Sequence, residues 1–279
     1  MCSSSILIFM YASLRKWGWL VILLFATELN GYPYTENPQP RSIHVFVSLA
    51  DNQHQGIVPV PAKLGNGMDP AHNLYWGAAA GVKTFFARSA DWKLLSCDRT
   101  TKPPVLERCV FKNLNSEVYL VADAYRGDEI RHAILDFLEA AAGGDSETIP
   151  VTSGPAPVRA GIRGAANLVA YVGHDGLMDF SVSLVMADTA HHETPRRDAM
   201  ILACASKQYF SGVLKTTGAF PLLWTTNLMA PEAYTLKSAI DGWIANEDGG
   251  KIRERAALAY DRYQKCGLRG ARRLFASGW

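Results

Sequence analysis

Two residues that could support hydrolytic chemistry follow apolar, strand-like stretches of this sequence. His174 comes after Leu168–Val172 and one glycine, and Cys204 comes directly after Ala199–Ala203. An imidazole beside a thiol raises the thiolate fraction and can later deliver a proton to the leaving group. Taken alone, Cys204 could be a small buried hydrophobe and His174 a turn residue. Together they predict a nucleophile and its base, provided that both side chains reach the same rim of one sheet.

Several neighbouring groups could complete such a site. The backbone N–H groups of Gly176 and Cys204 are candidates for an oxyanion hole, because glycine lets the backbone approach a substrate carbonyl closely. Asp175 and Asp179 could act as a carboxylate pair, could cap a turn, or could form with Asp123 an acidic pocket for a basic side chain.

The elements that must position these residues alternate along the chain. Strand-like runs cover 43–49, 117–122, 168–172, 199–203 and 220–226, and helical patterns cover 73–88, 129–142, 209–217, 231–246 and 251–266. Uninterrupted apolar strands separated by helices predict an α/β fold with a mainly parallel sheet and helices on both faces. Residues 143–164 are rich in glycine, proline and serine and predict a long surface loop. In open α/β sheets, sites collect beyond the carboxyl ends of the strands, where His174 and Cys204 fall.

The two strand ends resemble those of the caspase-like (caspase–hemoglobinase fold) cysteine peptidases, with a layout nearest to the gingipain and legumain types. Residues 168–176, LVAYVGHDG, are similar to the family's strand ending in His-Gly, with Asp175 intervening before Gly176. Residues 200–205, MILACA, are similar to its later strand ending in Ala-Cys. The resemblance implies a three-layer caspase-like sandwich and an endopeptidase with a His174–Cys204 dyad that acts on a peptide or protein substrate. It also implies that Asn52 orients the histidine.

Two readings from other classes remain open beside the peptidase. The first is a caspase-like domain without activity, and the second is a flavodoxin-like α/β module that binds a ligand at the cell envelope. Neither of them requires the cysteine sulfur to approach the imidazole.

Other motifs carry little chemistry. The adjacent histidines of the His191, His192 and Glu193 motif have no third ligand at the helical or strand spacing of a metal motif. We therefore expect neither a metal site nor a cofactor. Gly161–Gly164 lacks the Lys-Ser/Thr ending of a phosphate loop. The formal net charge of +2 gives no basic stripe of the kind that nucleic-acid binding requires, so no nucleic-acid partner is expected.

The N-terminal segment differs from the rest of the chain. Residues 1–31 contain two apolar runs around Arg15 and Lys16, which is typical of a secretory signal peptide or an uncleaved membrane anchor; a buried first helix is the alternative. Residues 32–42 predict a linker, and 43–279 a single domain. We therefore expect a protein that is exported, or anchored to a membrane by this segment. In an exported protein Cys97 and Cys109 could form a disulfide.

Overall fold

The computed structural model describes residues 40–100, 103–152, 157–183 and 197–279. These residues all belong to one compact unit, Pro38–Trp279. Its strands are β1 Arg41–Ser48, β2 Trp92–Arg99, β3 Val105–Asn113, β4 Val118–Tyr125, β5 Glu147–Val151, β6 Val158–Ile162, β7 Leu168–Val172, β8 Asp198–Leu202, β9 Phe220–Thr225 and β10 Phe275–Ala276. Its helices are α1 Val82–Arg88, α2 Ile130–Ala141, α3 Ser206–Thr217, α4 Ala233–Ile244, α5 Gly249–Gln264 and α6 Leu268–Leu274.

The main sheet has eight strands in the order β10-β9-β8-β7-β1-β4-β3-β2. Strands β9, β8, β7, β1 and β4 are parallel, and β10, β3 and β2 add antiparallel edges. From β1 the chain goes to the edge strand β2 and returns inward through β3 to β4, which pairs with β1. It then crosses to the other side of β1 to form β7. The strand order therefore reverses between β1 and β7, which is where α/β sheets open a crevice for ligands.

Helices cover both faces of this sheet because successive strand residues point to opposite sides. Val45, Ala170 and Met200 belong to a core packed under α1, α4, α5 and α6. Their neighbours Phe46, Tyr171 and Ile201 belong to a second core packed under α2 and α3. The prediction of an α/β fold with a mainly parallel sheet and helices on both faces is confirmed.

The predicted helix over residues 73–88 is wrong in its first half, since α1 begins only at Val82. The side chain of Asn73 instead bonds the backbone of Ala50, accepting from its N–H at 3.0 Å and donating to its carbonyl at 2.8 Å. A Cβ on Gly77 would lie 2.2 Å from the carbonyl oxygen of Ala71, so the chain turns tightly there. Side-chain bonding to the backbone has replaced helical periodicity in this segment.

The region around Cys97 and Cys109 forms the hairpin β2–β3, where the sequence pattern predicted no strand. The two cysteines are direct cross-strand partners and are joined by a disulfide. Most side chains of β2 are exposed or half-buried at the sheet edge, so this strand lacks the apolar run that marked the inner strands.

Smaller differences occur at other places. The predicted loop over 143–164 contains the separate hairpin β5–β6. Helix α6 and strand β10 follow the last predicted helix. Strand β1 begins inside the predicted linker, because the guanidinium of Arg41 stacks 3.8 Å from the ring of Trp243 and donates to its carbonyl at 3.1 Å.

The predicted leader, residues 1–31, and most of the predicted linker lie outside the described residues. Within the part of the chain that the structure describes, no helix has the length and apolarity needed to cross a membrane.

Candidate active site

A cavity of about 410 Å³ opens at the carboxyl edge of the parallel strands. Its walls come from the connections that follow β1, β7, β8 and β9, with one residue from the end of α5. The point where the strand order reverses, between β1 and β7, thus has a cavity beside it. The cavity is large enough to hold a small ligand or one side chain of a larger ligand.

His174 and Cys204 both line this cavity. The strands that end before them, β7 and β8, are adjacent and parallel, with Val172 opposite Leu202. The sulfur of Cys204 makes its hydrogen bonds to Met229, accepting from the N–H at 3.4 Å and donating to the carbonyl at 3.5 Å. No hydrogen bond joins the sulfur and the imidazole within the described residues. The predicted pair therefore shares one cavity without a hydrogen bond between the two side chains.

The imidazole of His174 is held by Asp179. Its Nε2 lies 2.7 Å from the Oδ2 of Asp179, and the histidine is 7% exposed. A carboxylate can only accept, so Nε2 carries the proton and Nδ1 keeps its lone pair. Nδ1 makes no hydrogen bond to the rest of the described chain and can receive a proton.

Asn52 does not contact the histidine, contrary to the role that the resemblance implied. Its Nδ2 donates to the carbonyl of Val60 at 2.7 Å, and its Oδ1 accepts from the N–H of Val60 at 3.1 Å. Both ends of the amide are thus used to close the loop after β1. The partner that orients the ring is Asp179, which the sequence pattern had assigned to a substrate pocket.

Gly176 does not present a free N–H to the cavity. Its N–H donates to the carbonyl of His174 at 3.1 Å, which closes a turn. A Cβ at this position would lie 2.7 Å from the ring of Phe180, on a side packed against protein. Of the two predicted oxyanion donors, Cys204 is the one whose N–H makes no hydrogen bond to the described residues.

Asp175 is fully buried and does not line the cavity. Its Oδ1 accepts from the N–H of Leu177 at 3.0 Å, and its Oδ2 has no hydrogen-bond partner among the described residues. Burial raises the pKa of this carboxyl to about 7, with a further contribution from nearby Asp179. Of the two aspartates predicted for an acidic pocket, Asp175 caps a turn and Asp179 holds His174, and neither lines this cavity.

Cys204 lies in a tight connection from β8 to α3. The next residue, Ala205, has φ of 49° and ψ of 31°, a left-handed conformation that costs a non-glycine residue about 1–2 kcal/mol. Its N–H donates to the carbonyl of Asn227 at 2.9 Å, which fixes the turn. Burial raises the pKa of the Cys204 thiol. The resting side chain is therefore a neutral thiol at neutral pH.

A second buried histidine has a structural role. The Nδ1 of His44 accepts from the N–H of Arg163 at 3.0 Å, so its Nε2–H donates to Asp123 at 3.1 Å. Burial alone would raise the pKa of the Asp123 carboxyl, but hydrogen bonds from Arg108 and His44 hold this pKa at about 2. Asp123 is fully enclosed and satisfied, which excludes it from a substrate pocket.

The sequence motif His191, His192 and Glu193 lies outside the described residues. Among the residues that are described, the cluster with metal-like spacing consists of Cys97, Glu107 and Cys109. Its two cysteines are joined as a disulfide and offer no thiolate to a metal.

Sequence reasoning missed two parts of the site. The first is the segment 228–232, which follows β9, carries the partner of Cys204 and forms one cavity wall. The second is the pairing of Asp179 with His174. The one available signal was an aspartate five positions after the histidine, in a turn sequence that brings the chain back.

Comparisons of the chain with protein-family models, with curated proteins and with solved structures found no match. The interpretation of the site rests on its residues and their geometry.

Proposed function

We propose that this protein is a cysteine-dependent hydrolase that cleaves peptide bonds, with Cys204 as nucleophile, His174 as base and Asp179 as the residue that orients the base. The observation that carries the proposal is the shared cavity: a thiol and an imidazole with a free nitrogen line one pocket at the carboxyl edge of adjacent strands. A nucleophile, a base and a third group that orients the base form the arrangement used by many acyl-transfer enzymes.

The proposed reaction proceeds through a thioester. The sulfur of Cys204 attacks the carbonyl carbon of the substrate while its proton passes to Nδ1 of His174. The N–H of Cys204, which makes no hydrogen bond to the described residues, would stabilise the oxyanion. The C–N bond then breaks, and His174 gives the proton to the departing amine. A water molecule, deprotonated by His174, hydrolyses the thioester and restores the thiol.

The raised pKa of Cys204 determines when the proton moves. Because burial favours the neutral thiol, His174 removes the proton as the sulfur attacks, in the manner of a general base. The hydrogen bonds from the sulfur to Met229 must also break for the thiol to turn toward the imidazole. Substrate entering between Met229 and His174 would supply that change.

A caspase-like arrangement and an exported location are parts of the same proposal. The strand that ends before the histidine lies beside the strand that ends before the cysteine, which supports the resemblance to caspase-like peptidases. The disulfide between Cys97 and Cys109 supports an oxidising compartment, where such bonds persist. Whether residues 1–31 act as a cleaved signal or as a membrane anchor is tested by sequencing the N-terminus of the exported protein.

Peptide cleavage can be tested directly. We expect the full-length protein to cleave members of a peptide library in a mass-spectrometric assay. Cys204→Ala and His174→Ala should each abolish cleavage, and Cys266→Ala, which changes the exposed free cysteine, should retain it. Cleavage that survives in Cys204→Ala would eliminate the proposed nucleophile.

A non-catalytic α/β binding module is the second candidate. Numbered by their appearance in the chain, the parallel strands have the order 2-1-3-4-5, which is also that of flavodoxin-like domains. The raised pKa of Cys204 and its hydrogen bonds to Met229 favour this reading. A binding module would hold ligands equally well in the wild type and in Cys204→Ala, with no turnover in either.

A further inference from the structure

The walls of the cavity are mainly apolar. Ile57 and Leu74 come from the segment after β1, and Met229 and Pro231 from the segment after β9. Tyr75, which is 6% exposed, contributes an aromatic ring. Walls of this composition give up water at little cost and favour an apolar occupant.

The mouth of the cavity carries exposed apolar side chains from three separate connections. Val58 is 85% exposed, Leu228 is 67% exposed and Met178 is 41% exposed, and all three line the cavity. Single exposed apolar residues are ordinary on protein surfaces, but several that converge on one pocket indicate a binding surface.

The described residues that line this cavity offer little charge to a substrate. Glu232 accepts from the hydroxyl of Tyr234 at 2.7 Å and from the amide of Gln264 at 3.0 Å. Asp179 is held by His174. The described residues that line the cavity include no lysine or arginine. Among the described lining residues a basic side chain would therefore meet one carboxylate, that of Glu232, whose Oε2 already accepts two hydrogen bonds, and an acidic side chain would meet no lysine or arginine.

We propose that this cavity receives a bulky apolar side chain, such as leucine or phenylalanine, from the substrate residue that supplies the scissile carbonyl. The inference rests on the proposed function and specifies its substrate class. An apolar side chain in the cavity lies beside His174 and Cys204, so its carbonyl is brought to the sulfur. Burial of that side chain provides binding that a charged residue would lose through desolvation.

The test uses N-acetyl peptidyl fluoromethyl ketones that differ only in the side chain next to the reactive carbonyl: leucine, phenylalanine, alanine, arginine or aspartate. Rates of covalent labelling at Cys204 are read from the intact mass of the full-length protein. We expect the leucine and phenylalanine probes to react at least about tenfold faster than the other three. Equal or faster labelling by the arginine or aspartate probe would overturn the inference.

A second test introduces a charge at the exposed residues of the cavity mouth, where a substitution leaves the hydrophobic core unchanged. Val58→Asp and Leu228→Asp should each slow labelling by the leucine probe several-fold. Leu114→Asp, at an apolar position that is 57% exposed and does not line the cavity, is the matched control and should label at the wild-type rate. Unchanged rates in both rim variants would contradict the apolar site.

Binding to Cys204→Ala separates this inference from the proposed chemistry. Peptide amides that end in leucine, phenylalanine, arginine or aspartate are titrated into the variant and followed by calorimetry. If no probe labels the wild type but the leucine and phenylalanine peptides bind the variant more tightly, the hydrolase proposal fails and the apolar cavity stands. If probes label Cys204 without this preference, the hydrolase stands and the apolar cavity fails. If nothing labels and nothing binds, both are overturned.

Discussion

The Nε2 of His174 lies 2.7 Å from the Oδ2 of Asp179, and the N–H of Gly56 donates to the same carboxylate oxygen at 3.4 Å. The carboxylate thus connects the histidine after β7 to the loop after β1. Because a carboxylate only accepts hydrogen bonds, this contact assigns the proton of the neutral ring to Nε2 and leaves Nδ1 with its lone pair.

Asp179→Asn should lower peptide-bond hydrolysis at least about 100-fold, because an amide can donate to Nε2 and so move the ring proton to Nδ1. The turnover rate should fall more than the Michaelis constant rises, since the substrate cavity does not include Asp179. Steady-state kinetics on a cleaved peptide would measure both quantities. Asp261→Asn on α5 is the control and should retain activity; a similar rate in Asp179→Asn would remove the orienting role.

The rate at which iodoacetamide alkylates Cys204 should be low at neutral pH. It should increase only at pH values above the ordinary pKa of a thiol. The reagent reacts with the thiolate, and burial raises the pKa of this thiol. Mass spectrometry of digested protein would follow Cys204 across pH, with exposed Cys266 as the internal reference. Fast labelling of Cys204 at pH 6 that disappears in His174→Gln would instead reveal a preformed thiolate–imidazolium pair.

Asp175→Asn should alter the pH dependence of stability. The folded pKa of about 7 lies above the ordinary value of 3.8, so the folded protein binds more protons between these pH values. Stability contributed by the protonated carboxyl is complete below about pH 4 and is lost as pH rises toward 7. Relative to Asp175→Asn, the wild type should lose up to about 4 kcal/mol over this range. Urea unfolding at several pH values measures the free energy of unfolding of both proteins. If this free energy depends on pH in the same way in both, the raised pKa of Asp175 is contradicted.

Gly173→Ala should destabilise the fold by about 1–3 kcal/mol and displace His174. The residue has φ of 153°, and a Cβ there would lie 2.9 Å from the carbonyl oxygen of Ser48. Gly212→Ala is the matched control, because its Cβ would meet no atom within 4 Å in the exposed middle of α3. That control should raise stability by about 0.5–1 kcal/mol. Denaturant unfolding of both variants checks the pair, and equal effects would argue against strain at Gly173.

The inner strands could be predicted from the sequence because burial on two faces requires uninterrupted apolar runs. Strand β7 has the predicted bounds, and β8 and β9 differ by one residue at their ends. The expectation that His174 and Cys204 lie at one edge of the sheet followed from the same runs, since parallel neighbours end at one edge.

The parts that could not be predicted depend on contacts between distant segments. The bonds from Asn73 to Ala50 replace half of a predicted helix, and no local periodicity reports them. The pairing of Met229 with Cys204 joins connections after different strands. The edge hairpin β2–β3 was missed because solvent on its outer side permits polar residues at most positions of β2.

The cavity combines residues that follow buried strands with residues that are exposed at its mouth, and this difference has an evolutionary consequence. His174 and Cys204 follow strands β7 and β8, whose inner residues are buried and contribute to both cores, so a change in either strand would disturb that packing. Val58 and Leu228, by contrast, are exposed and support no core packing. Substitutions at these two exposed positions should therefore be nearly neutral for folding. Under the proposed function, selection would then be able to alter substrate preference without moving His174 or Cys204.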